Sequence, residues 1–252
     1  MKITLLLAAT AIIASAYTVE KTDNSNNDLA EAHLKGRVKS VATMLDHTSE
    51  DQNFDYHKVE VFDEHGNKIA DSNFNELNFR PVYHKCQYSQ QGAIMEKQQY
   101  CAGTDAGWKT TFTYNDAGIL SETKTYHTSG KMEQRIVYNY DAQGRNTERL
   151  SYAADGHQNG RTVLKYDASG SLTEQSKYSE INGSLSLVSH DTYYANGNST
   201  SEQYNSNHKV ERSSAVQQLE TDDEGNCIKW REDIKGGGKS FSLFYKREIK
   251  YY

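Results

Sequence analysis

The 252-residue chain has one proline and three cysteines, and beyond its first residues it has no long apolar run. A single proline excludes a Pro-rich stalk or linker. Cys86, Cys101 and Cys227 are an odd number and form no CxxC pair, so a zinc ribbon is excluded. The nine histidines show no HxxxH or HxH spacing, and no metal or other cofactor is expected. No serine or cysteine stands in a nucleophile elbow. With 36% hydrophobic residues and a mean hydropathy of −0.85, the chain has little material for a thick aliphatic core. Its formal charge of −6 argues against binding nucleic acid, which requires a concentrated basic face.

The first sixteen residues, "MKITLLLAATAIIASA", read as a secretory signal. Lys2 is the positive region, Ile3 to Ile13 the apolar region, and Ala14-Ser15-Ala16 the small-x-small cleavage site. A spanning helix needs about 20 apolar residues, more than this run contains. No cysteine follows it to carry a lipid anchor, and no later stretch is apolar enough to span. The expectation is residues 1–16 as a signal peptide and a mature chain that starts near Tyr17 and leaves the cytoplasm. The polar stretch 17–33 reads as a linker, with room for a short helix at "NDLAEAHL", Asn27 to Leu34.

Tyrosine is abundant, at 18 residues, and provides a large ring to bury with a hydroxyl that stays hydrogen-bonded. It is also periodic. Gly66, Gly92, Gly118, Gly144 and Gly170 follow one another at steps of 26, and the series drifts to Gly197 and Gly225. Four residues before these glycines stand Phe62, Tyr88, Tyr114, Tyr140, Tyr166 and Tyr193. Eight residues after them come Phe74, Tyr100, Tyr126, Tyr152 and Tyr178. A period in this range marks a repeat architecture. In "YDAQG", Asp141 and Gly144 suit the first and last positions of a type I turn, with a left-handed glycine that closes a hairpin with a one-residue bulge. A second turn near the middle of most units (Gly103, Gly130, Gly156, Asn182-Gly183) leaves two strands per unit. The fold expected for residues 34–252 is all-β: an antiparallel β-hairpin repeat of 26-residue period, forming one long curled sheet or partial shell. Strict alternation puts Tyr88, Tyr100, Tyr114, Tyr126, Tyr140, Tyr152, Tyr166 and Tyr178 on one aromatic side.

The pattern resembles the bacterial YD-repeat, or Rhs-type, family, in which Tyr-Asp-x-x-Gly-Arg precedes an apolar residue. "YDAQGRN" at Tyr140, "YDASGSL" at Tyr166 and "YNDAGIL" at Tyr114 carry the resemblance. "LKGRVKSV" at Leu34 and "DEGNCIKWRE" with "REIKYY" near the end look like the opening and closing segments of small secreted Bacteroidetes versions. "YYANGNSTSEQY" also resembles MORN-type repeats. The resemblance implies a β-scaffold without naming an activity. Large members of the family build a hollow shell around a toxin domain, and this chain has no room for one.

A glutamate four residues after four of the turn glycines is the recurrent candidate chemistry: Glu96, Glu122, Glu148 and Glu174. Alternation places these on the aromatic side, with equivalent strands about 9–10 Å apart. That is too far to share one calcium ion and at the outer limit for an inverting glycosidase pair. A structural role, hydrogen-bonded to tyrosines or basic neighbours, is the simpler expectation. Lys109, Arg135 and Arg161 recur on the other side, and exposed tyrosines offer surfaces for sugar rings. "GGGKS" at Gly236 to Ser240 lacks the earlier glycine of a phosphate loop and reads as a hairpin tip. Cys101 is expected to pair near Pro81, about 16–17 Å along the strand from Cys86 and beyond the ~7 Å of a disulfide. The functional expectation is a secreted, non-enzymatic scaffold or binding protein of the Gram-negative envelope, periplasmic or at the surface, with a protein or glycan partner. An immunity-type module related to toxin shells and a glycan-active enzyme are the alternatives.

Overall fold

The computed structural model describes residues 28–32, 34–45, 57–74, 82–90, 92–101 and 107–252. The expected signal segment, most of the linker, Pro81 and the turn at Gly103 lie outside them. A four-residue helix, α1 (Asp28–Glu31), precedes sixteen strands among the described residues. The first eight are β1 (Val38–Leu45), β2 (His57–Phe62), β3 (Lys68–Phe74), β4 (Val82–Tyr88), β5 (Ile94–Cys101), β6 (Gly107–Tyr114), β7 (Leu120–His127) and β8 (Met132–Tyr140). The others are β9 (Asn146–Ala153), β10 (Gln158–Tyr166), β11 (Leu172–Ile181), β12 (Ser184–Tyr193), β13 (Ser199–Tyr204), β14 (Val210–Thr221), β15 (Cys227–Gly236) and β16 (Lys239–Tyr251).

Every strand is antiparallel to its chain neighbours, and β16 returns to β1 to close a barrel. This corrects the expectation of a long curled sheet or partial shell, although the strands and hairpins themselves are those of an all-β antiparallel chain. An open sheet leaves two edges of unpaired backbone groups, and closure removes both. At the seam Val41 faces Ile249 and Leu45 faces Tyr245. Leu29, Val38, Val41 and Phe62 form a buried apolar cluster there, with Leu34 and Ile249 packed against it. Polar contacts add to the seam. Tyr252 Oη donates to the Phe62 carbonyl (2.6 Å). The Asn226 side chain accepts from the Lys35 amide (2.6 Å) and donates to the Lys35 carbonyl (3.0 Å).

The repeated phrase builds the turns. Asp141 Oδ1 accepts the amides of Gln143 (3.0 Å) and Arg145 (2.9 Å), while the Gly144 amide donates to the Asp141 carbonyl (3.0 Å). Asn115 and Asp167 do the same in their units. Gly66, Gly92, Gly118, Gly144, Gly170, Gly197 and Gly225 all take φ between 75° and 88°, the left-handed region. At Gly144 an added Cβ meets nothing within 4 Å, so the need for glycine there is conformational rather than steric.

All but one of these turns are followed by a bulge that resets the faces; at Gly197 the pairing from Tyr193 and Ser199 runs on without a shift. Tyr140 faces Asn146 but Asn139 faces Glu148, which leaves Thr147 as an extra residue. The same shift occurs at Tyr88, Tyr114 and Tyr166. A one-residue slip sends every later side chain to the opposite face. Asn146 therefore stays on the side of Tyr138 and Tyr140, while Glu148, Leu150 and Tyr152 turn away. The first side is the barrel interior, because Asp28 and Asn67 meet Thr110 and Ile136 in one cavity across non-neighbouring strands. Tyr88, Tyr114, Tyr140 and Tyr166 thus point inward and Tyr100, Tyr126, Tyr152 and Tyr178 outward. The inner row links successive units: Tyr114 Oη donates to the Ile94 carbonyl (2.8 Å) and Tyr166 Oη to the Asn146 carbonyl (2.7 Å). Both acceptors sit where the preceding unit's register shifts.

Cys101 faces Val82, four positions along β4 from Cys86. That is about 13 Å of strand, well beyond disulfide reach. Cys86 and Cys227 are free thiols.

Candidate functional site

The recurrent glutamates line the outside of the wall, where each meets a cation on a neighbouring strand. Glu96 pairs with Lys109 (3.5 Å), Glu122 with Arg135 (3.5 Å), Glu148 with Arg161 (2.7 Å) and Glu174 with Lys165 (2.7 Å). Three of these cations lie over outer tyrosine rings: Lys109 over Tyr126 (6.0 Å), Arg135 over Tyr152 (4.5 Å) and Arg161 over Tyr178 (6.0 Å). The Asn139 amide, followed by Arg161 and against the opposing effect of burial, holds the Glu148 carboxyl below its ordinary range. Lys165 does the same for Glu174. The result is a ladder of Glu, cation and Tyr rather than a convergent site. The glutamates are neutralised one at a time, and nothing brings two of them to one substrate bond.

The inner face of β2–β5 holds charge that the periodicity did not single out. Lys58 and Glu60 are 2.8 Å apart on β2, and Lys68 on β3 meets both Glu60 (3.2 Å) and Asp71 (2.9 Å). His84 Nε2 lies 3.4 Å from Asp71 Oδ2, while the buried His84 Nδ1 has no hydrogen-bond partner among the described residues. Burial pulls the Lys68 ammonium down, but Asp71 and Glu60 outweigh it and the net direction is up. Burial likewise opposes ionisation of Asp71, and Lys68 with His84 bring it below the usual carboxylate range. His84 is lowered by burial first and by the positive field of Lys97 next. Burial raises the Cys86 thiol, and this cysteine faces Lys97 on the inner wall. The available signal was the alternation in "HKVEVF": Lys58, Glu60 and Phe62 share one face, and Val59 and Val61 the other. The valines face outward.

Helix α1 meets this cluster at the barrel end that carries the glycine turns. One oxygen of Asp28 accepts the Lys68 amide and the Lys97 ammonium, each at 2.6 Å. Nearby, Tyr88 donates to Asp63 and accepts from Asn67 (3.1 Å), and its ring lies 4.4 Å from that of His65. Burial, followed by the bond to Asp63, raises the Tyr88 hydroxyl. Beside Asp28 is an inner cavity of about 350 Å³, bordered by Asn67, Thr110, Phe112, Ile136, Tyr138 and Arg149 among others. At the opposite rim a hollow of about 460 Å³ is bordered by Tyr100, Trp108, Tyr126 and His127. Trp108 is 41% exposed there and meets the His127 ring edge-on at 5.4 Å.

No protein-family model matches the sequence, and no curated protein matches it. The YD-repeat resemblance therefore rests on the motif residues alone. Among solved structures, a porin-like protein from Bacteroides uniformis ATCC 8492 superposes with a TM-score of 0.55 at 9% identity. The match covers 84% of this chain and 96% of that one. A protein of unknown function from Bacteroides fragilis NCTC 9343 matches at a TM-score of 0.21 and 13% identity, over 67% and 91% of the two chains. TcdB2-TccC3-TEV matches at 0.20 and 11%, over 82% of this chain and 16% of that one. Only the first is near enough in shape to carry weight, and what it shares with this chain is the barrel fold.

Proposed function

We propose that the protein is an exported, non-enzymatic binding scaffold of the bacterial envelope that works as a water-exposed barrel rather than a lipid-embedded pore. The neighbour called porin-like supports the envelope part of the reading. The outer face supports the rest. Among the described residues no helix is long and apolar enough to cross a membrane, but a barrel crosses with strands, so its outer wall decides. A lipid-facing wall carries an apolar band, and a Lys or Arg at the bilayer midplane costs about 2–4 kcal/mol. Here Lys124, Arg135 and Arg161 stand mid-strand on the outside, interleaved with Glu122 and Glu148. Apolar residues also face out, Ala42, Met44, Val59, Val61 and Ala70 on β1–β3 and Val137, Leu150 and Val163 on β8–β10, but on β8–β10 they alternate with charged or polar residues instead of forming a continuous band. That ionic outer ladder is the observation that carries the proposal.

Of the two partner classes, protein and glycan, the rim hollow favours a glycan, since exposed Trp108 and Tyr100 present ring faces on which sugars stack. Flotation of detergent-free protein with lipid vesicles tests the reading. Recovery in the lipid-free fraction is the expected result, and insertion with channel conductance would overturn it.

A further inference from the structure

We propose that the inner cavity beside α1 is a binding site for a small organic carboxylate, with Asp28 seated in it as a tethered stand-in. The seat is a pair of convergent donors on one oxygen: the Lys68 amide and the Lys97 ammonium, both at 2.6 Å. A main-chain N–H with an ammonium is a charge-assisted arrangement suited to a carboxylate. Both donors belong to the barrel wall, whereas their acceptor is brought in by a four-residue helix from outside the strand repeat. The helix is held in place separately. Leu29 is buried in the seam cluster, and its amide donates to the Gly66 carbonyl (3.0 Å). Asp28 therefore reaches its seat by way of a contact that does not depend on its charge.

The cavity that adjoins the seat, at about 350 Å³, is of a size that holds a small molecule. Among its described lining residues Asp28 is the only acid and Arg149 the only base. With the Asp28 carboxylate withdrawn, the Lys68 amide and the Lys97 ammonium are left to receive an anion at the edge of this space. Phe112, Leu120 and Ile136 provide an apolar wall for its body, and Thr110, Thr123 and Thr125 provide hydroxyls.

This goes beyond the proposed function, because the rim hollow and the outer ladder play no part in it. Calorimetry with acetate, benzoate and inorganic phosphate as probes tests it on the full barrel, on Asp28→Ala and on Asp28→Ala/Lys97→Gln. Benzoate is expected to bind Asp28→Ala about tenfold or more tightly than the unaltered barrel, a gap of ~1.4 kcal/mol. Acetate should bind more weakly than benzoate, and the double variant should lose both. Equal benzoate affinity in all three proteins, or a preference for phosphate, would overturn the inference. If Asp28→Ala does not fold, limited proteolysis of the unaltered barrel decides. Saturating benzoate should speed cleavage near α1 several-fold over phosphate at equal ionic strength, and an unchanged rate counts against the site. Vesicle flotation bears on the proposed function alone, so the two can fail separately.

Discussion

Strands β1–β3 and strands β5–β11 belong to one continuous antiparallel wall and place their charges on opposite faces. In β2 and β3, Lys58, Glu60, Lys68 and Asp71 point into the barrel, and valine and alanine point out. In β5–β11 the glutamates and most of their cations stand outside, and threonine, tyrosine and phenylalanine occupy the inside, with Lys97, Arg149 and Lys177 as inward-facing exceptions. The seam region also holds the tight apolar cluster, whereas most inner side chains of the repeat wall are only half-buried. A hairpin repeat thus fixes the turn and the bulge without fixing which face is polar. The regular units make an outer ionic ladder, and the irregular first strands make an inner charged cluster with its own plug.

The difference should show most strongly in packing. Phe62, at 1% exposure in the seam cluster, should cost about 3–5 kcal/mol on truncation to alanine. Phe112→Ala, in the half-buried repeat interior, should cost clearly less. Urea unfolding measures both, and equal losses would erase the distinction between the regions. Next in size is the charge contrast. Lys68→Ala strips Glu60 and Asp71 of their shared cation and should cost about 1–3 kcal/mol. Lys165→Ala breaks an outer pair and should cost less than about 1 kcal/mol. An effect between these two, about 1–2 kcal/mol, is expected for Gly144→Ala, which forces a β-carbon into φ 78° with no clash to blame.

The mildest effect lies in pH. Inner His84 is lowered from the ordinary 6.5, so its contribution to stability is complete above that value and is lost as pH falls below it. His157, held up by Asp155 and Glu180, has the opposite sign: its contribution is complete below 6.5 and is lost as pH rises through its higher folded value. Thermal melts across mildly acidic to neutral pH should therefore flatten in opposite directions for His84→Gln and His157→Gln. A common direction would contradict the inner and outer assignments.

Much of the turn chemistry was legible in the residues. Asp141 and Gly144 prescribe the hairpin, and Tyr140 does face Asn146. A bulge at the turn glycine was expected, but the further one at Thr147 was not legible. Glu148 two residues later looks in phase with Tyr140, and only the backbone count across the turn moves it to the other face. Closure was hidden for a different reason. The pairing of Val41 with Ile249 joins residues at opposite ends of the chain, and no local pattern encodes it. The inner cluster escaped notice because periodicity highlights what recurs, and Lys68, Asp71 and His84 have no equivalents in the later units. Asp28 lay in a stretch read as linker, and its seat on Lys97 depends on contacts 69 residues apart.

The face assignment itself can be tested on two adjacent residues. With the three native cysteines replaced, Glu122→Cys and Thr123→Cys are each exposed to a maleimide carrying a polymer too bulky to enter the barrel. Glu122 faces outward beside Arg135, and Thr123 is 5% exposed on the inner wall. Rapid labelling at position 122 and protection at 123 is the predicted result. The reverse pattern would restore strict alternation across the turn, and with it the outer ladder and the water-exposed barrel would both fall.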